Sequence, residues 1–275
     1  MATIAETSTQ HEPPRDILSG TPRAHAIDRW IYVFTAASFI VIVLAGFVPS
    51  SIEKAAAVEA GARPPFPLVM HLHAVLMGSF LLLLLAQTWL VATGRCARHM
   101  RLGMVSLVLV PAIVIVGFLL ARGNYHGIWA AASAAPPAAR AELQGLVGEL
   151  DNILLFQLRI GILFPLLFWI GLSARGAEPG LHKRMMILAV AVALPAGIDR
   201  IAWLPTTLPA SPLATDLYTL LAISPLLVWD LIRNRFVHRA WWIWLALFLP
   251  FAVAVNGLWD SAWWHGVAPR LMGVT

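Results

Sequence analysis

Seven long apolar segments, separated by shorter polar stretches, dominate the pattern of this chain. They lie at about 30–48, 67–92, 102–120, 153–172, 185–205, 213–231 and 241–257. Each holds about 17 to 26 residues, the length that a tilted helix needs to cross a bilayer, whereas a barrel strand needs only about 10. Backbone amides in lipid must be hydrogen-bonded within their own segment. The pattern therefore predicts an all-α fold, a polytopic transmembrane helical bundle of about seven spans.

The two ends of the chain are more polar than these segments. Residues 1–28 contain several prolines and charges of both signs, which predicts a disordered tail. No short apolar stretch with a basic flank marks a cleavable signal peptide there. We assign residues 29–258 to a seven-helix transmembrane domain and residues 259–275 to a short C-terminal tail. Residues 138–150 are expected to extend the fourth span outward.

The basic residues predict the orientation of the bundle. The N-terminal tail and the loops after the second, fourth and sixth spans hold twelve Lys and Arg residues, whereas the opposite loops hold five. Short loops rich in Lys and Arg stay in the cytoplasm. We therefore expect a cytoplasmic N-terminus, a periplasmic C-terminus and a location in the bacterial inner membrane.

Composition agrees with a membrane protein. Hydrophobic residues make up 59% of the chain and charged residues 12%, and the mean hydropathy is +0.77. The net charge of +5 does not predict a nucleic-acid partner, because the basic residues sit in short loops rather than on one face. The expected partner is the lipid bilayer.

Several classes of chemistry lack their sequence signatures. The single cysteine, Cys96, excludes an intramolecular disulfide, and the chain has no CxxCH haem attachment and no CxxC zinc pair. It also has no HExxH helix, GxSxG elbow, P-loop or GxGxxG motif, so hydrolysis and nucleotide binding are not expected. Any metal or haem would depend on histidine, methionine or carboxylate ligands.

Ionisable residues inside the apolar segments are the candidates for chemistry, because a charge in lipid is costly and usually faces a partner. Arg159 in the fourth span and Asp199 in the fifth each lie about six residues, or roughly 9 Å, below the outer boundary. Consecutive antiparallel helices are natural neighbours, so we expect an Arg159–Asp199 ion pair. His71 and His73 share this depth in the second span, and His126 lies just beyond the third. Further polar residues map to the same outer half: Asn152, Gln157, Arg200, Asp216 and Asn256.

The outer histidines predict a cofactor site. Imidazole is a common ligand for haem iron, copper and zinc. Residues i and i+2 of a helix point about 200° apart, so only one of His71 and His73 can face a given iron. The leading hypothesis is haem b or a transition-metal ion, bound for electron transfer or oxidoreductase chemistry. The cofactor-binding candidates are His71, His73, His126, Arg159, Asp199 and Arg200, and the metal ligands among them would be the three histidines.

Other interpretations of the same residues stay open. Each histidine alone fits a hydrogen-bonded residue at a helix end, and the arginine–aspartate pair can be purely structural. The protein would then be a non-catalytic accessory subunit of a larger membrane complex or a small-solute transporter, whereas the redox hypothesis implies a redox partner. The inner hairpins place His99, His182 and His238 beside basic residues, which indicates either contacts with lipid phosphates or a second, inner cofactor site.

Two stretches carry a resemblance. "HLHAVLMGSFLLLLLAQTWLVATGRCARHMRLG" and "LHKRMMILAVAVALPAGIDRIAWLP" resemble an uncharacterised family of bacterial multi-pass inner-membrane proteins, with a histidine, a glutamine, GR, a histidine before RLG, and HKRM. The resemblance implies a location and no activity. Four-helix b-type cytochromes share only the general use of histidines on bundle helices, which is an architectural analogy. The matching positions are His71 or His73, Gln87, Gly94, Arg95, His99, Arg101, His182, Lys183 and Arg184.

Overall fold

A computed structural model describes residues 22–274 of the chain. These residues form helices and contain no β strand. The helices are α1 (Pro22–Glu59), α2 (Leu68–Ala92), α3 (Cys96–Gly103), α4 (Ser106–Ala134), α5 (Pro137–Ser173), α6 (Pro179–Ala191), α7 (Pro195–Ile198), α8 (Leu213–Asn234), α9 (Arg239–Leu258) and α10 (Ala262–Met272).

Seven helical stretches within the described residues are long and apolar enough to cross a membrane, which confirms the predicted fold class. Helices α3 and α4 together form the third stretch, Cys96–Ala134, and α6 and α7 form the fifth, Pro179–Ile198. The other five stretches are single helices, and α5 includes the predicted outward extension of the fourth span. The chain is a multi-pass membrane protein.

The ends of the helical region differ from the predicted boundaries. Helix α1 already begins at Pro22, so residues 22–28, expected in the disordered tail, are helical. Asp28 in this first part of α1 accepts a hydrogen bond of 2.7 Å from Arg233 of α8, which ties the helix start to the bundle. Residues 1–21 of the predicted tail lie outside the described residues. At the other terminus, most of the predicted short tail forms α10, which packs against α5 and α4.

The fifth span is the centre of the bundle. In its most apolar window 72% of residues are buried, compared with 17–44% in the other spans. Helix α6 contacts α5, α9, α1 and α8, and its side chains Met185, Ile187 and Leu188 are fully buried. Because the other spans lie around α6 and are less buried, they supply the surface that lipid would cover.

Two ends of the bundle can be distinguished. We call the end with the turns after α2, α5 and α8 the arginine-rich end; there Arg29 donates a hydrogen bond to the carbonyl oxygen of Ala92. At the opposite end, Trp259 Nε1 donates to the carbonyl oxygen of Pro209 over 2.7 Å, which joins the region after α9 to the loop before α8. The basic loops predict that the arginine-rich end faces the cytoplasm.

Helix α1 approaches the fifth span through glycine. A Cβ atom placed on Gly46 would lie 2.0 Å from the carbonyl oxygen of Gly197, and one placed on Gly197 would lie 3.2 Å from the Cα of Val43. Small residues allow such close approach of backbones in membrane bundles. The contact falls where α6 has ended and α7 has just begun at Pro195, so the glycines pack the broken part of the fifth span against α1.

A methyl group at this contact should destabilise the fold. We expect Gly46→Ala to lower the free energy of unfolding by about 1–3 kcal/mol, because the new Cβ overlaps backbone that cannot move aside. Thermal unfolding of the purified protein in detergent measures the change. Gly78→Ala in α2 is the matched control, since a Cβ at Gly78 meets no atom within 4 Å. Equal melting temperatures for the two variants would contradict the expectation.

Candidate functional site

Arg159 of α5 is fully buried, and its partner is Asp216 of α8. A guanidinium nitrogen of Arg159 lies 2.8 Å from a carboxylate oxygen of Asp216. The predicted Arg159–Asp199 ion pair is therefore wrong. The fifth span breaks before Pro195 and its last helix ends at Ile198, so Asp199 lies beyond the helix instead of below its end. There it pairs with its chain neighbour Arg200 over 2.8 Å.

Two aromatic rings flank the guanidinium of Arg159, in addition to the carboxylate of Asp216. The rings of Phe156 and Phe248 have their centres 4.8 and 4.9 Å from its central carbon, in cation–π contact. None of its three nitrogens makes a hydrogen bond, and neither does Asp216 Oδ1, so the contact between the two residues is ionic only. Buried donors without acceptors cost free energy, which makes this a place where water or a ligand would be stabilised.

A series of hydrogen bonds connects this pair with a loop at the opposite end of the bundle. Asn256 of α9 donates from Nδ2 to Asp216 Oδ2 over 3.3 Å. Its Oδ1 accepts a hydrogen bond of 3.5 Å from Ser211, which lies in the loop before α8. Asp216 and Asn256, both expected in the outer half, are thus brought together with Arg159. They form a buried site whose polar contacts continue to a loop.

Asp199 and Arg200 belong to a separate feature at the same end. Asp199, Thr206, Thr215 and Tyr218 are among the residues that line a small cavity of about 80 Å³. The guanidinium of Arg200 lies 4.8 Å from the ring centre of Phe47. A cavity of this size can hold water where polar groups such as these line it. Since Thr215 precedes Asp216, the cavity comes within one residue of the arginine site.

A second buried arginine–aspartate pair has the opposite character. At the arginine-rich end, Arg184 of α6 donates from Nε and Nη2 to the two carboxylate oxygens of Asp230 on α8, over 2.6 and 2.5 Å. Its remaining nitrogen donates to the carbonyl oxygen of Gly180, and Trp241 donates to Asp230 over 2.8 Å. This fork-to-fork geometry satisfies both partners. Asp230 was not among the predicted site residues. Its position as a carboxylate near the end of an apolar span was the sequence feature that indicated a buried charge.

The three histidines predicted to bind a cofactor have separate surroundings. His71 is exposed, with its ring centre 6.0 Å from that of Phe66. His73 is half-buried and its Nδ1 has no hydrogen-bond partner. A ring nitrogen of His126 lies 2.8 Å from the carbonyl oxygen of Met272. Among the described residues, no group of three or more His, Cys, Asp or Glu side chains is placed to hold a metal. A haem or metal at these histidines stays a prediction.

A hydrogen-bonded network at the opposite end was not predicted. Asp151 of α5 accepts a hydrogen bond of 2.6 Å from Tyr125 of α4 and lies 2.8 Å from His265 Nδ1 of α10. His265 Nε2 lies 3.1 Å from Asp260, and Trp264 donates to the backbone oxygen of Asp151 over 2.7 Å. The network joins three helices. The only sequence signal was that its members flank the same predicted membrane boundary.

The network favours the charged form of His265. Burial alone lowers the pKa of His265, but the hydrogen bonds and negative charges of Asp151 and Asp260 outweigh it, so the pKa is raised. An imidazolium can donate from both ring nitrogens, one to each carboxylate. The charge on His265 therefore helps to hold α10 against α5.

Comparison of the chain with protein-family models, with curated proteins and with solved structures finds no match. The function of these sites must therefore be inferred from their own geometry. The resemblance to bacterial inner-membrane proteins stays a prediction.

Removing the imidazole of His265 should destabilise the protein most at low pH. A raised folded-state pKa contributes stability that is fully present below the unfolded pKa of about 6.5 and is lost as the pH rises through the folded value. We expect the melting temperature of His265→Gln to fall further below that of the natural chain at pH 6 than at pH 9. His71→Gln, at an exposed histidine, is the control. A difference that does not vary with pH would contradict this assignment.

Proposed function

We propose that the protein binds a small organic anion at Arg159, reached from the opposite end of the bundle, as a small-solute carrier would. The observation that carries this proposal is a fully buried guanidinium without a single hydrogen bond. Asp216 is the partner that the anion would replace. The coarser statement, that the chain is an integral membrane protein, does not depend on this proposal.

The contrast between the two buried pairs supports a binding role for one of them. Arg184 uses every guanidinium nitrogen in a hydrogen bond, as a structural ion pair does. Arg159 uses none, and it keeps only an ionic contact with Asp216. The same bundle provides hydrogen-bond acceptors for all the guanidinium nitrogens of Arg184. The unpaired donors of Arg159 therefore favour an exchange of its partner.

The surroundings of Arg159 indicate the class of ligand. A planar guanidinium pairs with a carboxylate through two parallel hydrogen bonds. The rings of Phe156 and Phe248 provide apolar walls for an organic part. Asn256 and Ser211 provide polar contacts between the pair and the loop before α8. A small monocarboxylate with an apolar group fits this combination.

Asp216 and a bound anion compete for one cation. Both carboxylates cannot neutralise Arg159 without leaving one buried negative charge unpaired, which is costly. A neutral side chain at position 216 should therefore raise the affinity for the anion.

The hypothesis of haem or a metal ion at this end has weaker support. The imidazoles of His71, His73 and His126 have separate surroundings, and the structure gives no contact between any of them and Arg159. A redox partner or a larger complex likewise has no specific contact surface to support it.

Binding of carboxylates tests the proposal. Acetate, benzoate and lactate are added to the purified full-length protein in detergent, and the shift in melting temperature is measured. We expect at least one of them to stabilise the natural chain. Arg159→Gln should lose at least about tenfold in affinity, since a hydrogen bond to a charged group contributes about 1.5–3 kcal/mol.

Two further variants make the test specific. Asp216→Asn should bind the same carboxylate more tightly, because its neutral side chain does not compete for the guanidinium. Arg200→Gln should respond like the natural chain, since Arg200 contacts Asp199, the backbone of Ala196 and the ring of Phe47. The proposal fails if no carboxylate stabilises the natural chain, or if Arg159→Gln and the natural chain respond equally.

A further inference from the structure

Two histidines lie close together at the arginine-rich end, away from the Arg159 site. His99 lies on α3 and His182 on α6. Their ring centres are 6.3 Å apart and their planes are nearly perpendicular, at 83°. Both side chains are half-buried. They come from different hairpins, so the tertiary structure alone brings them together.

Each of these histidines has a ring nitrogen for which the structure gives no hydrogen-bond partner. His182 Nδ1 lies 2.8 Å from the carbonyl oxygen of Gly171, which leaves Nε2 for a ligand. A backbone carbonyl at the second nitrogen is the usual way in which a metal-binding imidazole is oriented. His99 Nδ1 is buried and has no hydrogen-bond partner. Each ring therefore has a nitrogen that the protein does not satisfy.

The separation of the rings suits a single metal ion. Metal–imidazole bonds are about 2.0–2.1 Å long, so two rings on opposite sides of one ion have centres about 6 Å apart. We propose that His99 and His182 bind one transition-metal ion between their imidazoles, either copper(I) or the iron of a haem. Imidazole nitrogen is a good ligand for both metals.

The charges around the pair favour these two forms over a bare divalent ion. Basic side chains on the same short helix and turns make this end strongly positive, and a bare dication would be repelled. Copper(I) carries a single charge, and a haem brings carboxylates that arginine can bind. The basic residues are Arg95, Arg98, Arg101 and Arg175.

A third unsatisfied group lies close by. The Oε1 atom of Gln87 on α2 is buried without a hydrogen-bond partner. Its Nε2 approaches Gly103, at 3.1 Å from a Cβ placed there. Gly103 follows His99 by four residues on α3 and so shares its helix face. Contacts with lipid phosphates would explain the arginines, but they would not explain the unpaired ring nitrogens of His99 and His182 or the unpaired oxygen of Gln87.

Metal loading of the purified full-length protein tests this proposal. The protein in detergent is titrated with copper(I) against a chromogenic chelator under reducing conditions, and separately with haem b while the Soret band is recorded. We expect about one equivalent of one of them to bind. Copper binding without a Soret shift identifies a bare ion, and a Soret band of two-histidine ligation identifies haem.

Variants connect that binding to the two histidines. His99→Ala and His182→Ala should each lower the affinity for the metal more than about tenfold. Even the loss of a residue that hydrogen-bonds to a metal ligand lowers metal affinity about 10–100-fold. His182→Asn, whose amide can still donate to Gly171, keeps the local hydrogen bond and tests the imidazole alone. His71→Ala should bind like the natural chain. Size-exclusion chromatography and melting temperatures verify that each variant is folded.

The outcomes are separate from those at Arg159. If the natural chain binds neither copper(I) nor haem, or if the folded His99 and His182 variants bind as it does, the proposal is overturned. Arg159→Gln should leave metal binding unchanged, and His99→Ala should leave carboxylate binding unchanged.

Discussion

A charged side chain within an apolar bundle must find a counter-charge, and this requirement governs the placement of α8. Both of its buried carboxylates pair with arginines, Asp216 with Arg159 of α5 and Asp230 with Arg184 of α6. The two aspartates are fourteen residues apart, which is about 21 Å along a helix. Ion pairs near both ends therefore fix the position of α8 against the central helices, and loss of either partner would leave a buried charge unpaired.

The two buried arginine–aspartate pairs differ in their surroundings. At the arginine-rich end, the carbonyl of Gly180 and the indole of Trp241 complete the hydrogen bonds of the pair. Around Arg159 the other neighbours are aromatic rings, which attract the cation but accept no conventional hydrogen bond. This difference is the basis for proposing that Arg159 exchanges Asp216 for an anion.

The two ends of the bundle carry different chemistry. The opposite end has carboxylates, the Arg159 site and a histidine whose charge helps to hold α10 in place. The arginine-rich end has the imidazoles of His99 and His182 amid positive charge. The proposed anion and metal sites are thus separated along the bundle.

The sequence by itself determined the seven spans and the presence of ionisable residues inside them, because backbone in lipid must form helices of a set length. It also identified Arg159 as a buried charge. Only the tertiary structure decided its partner: the break before Pro195 moves Asp199 out of the span, and Asp216 comes from a helix that is not next in the chain. Likewise, the separate surroundings of the outer histidines and the approach of His99 to His182 depend on packing between distant segments. Hydropathy predicts how deep in the membrane a residue lies. The neighbours of its side chain depend on the orientation of each helix about its axis and on the packing of the helices around α6.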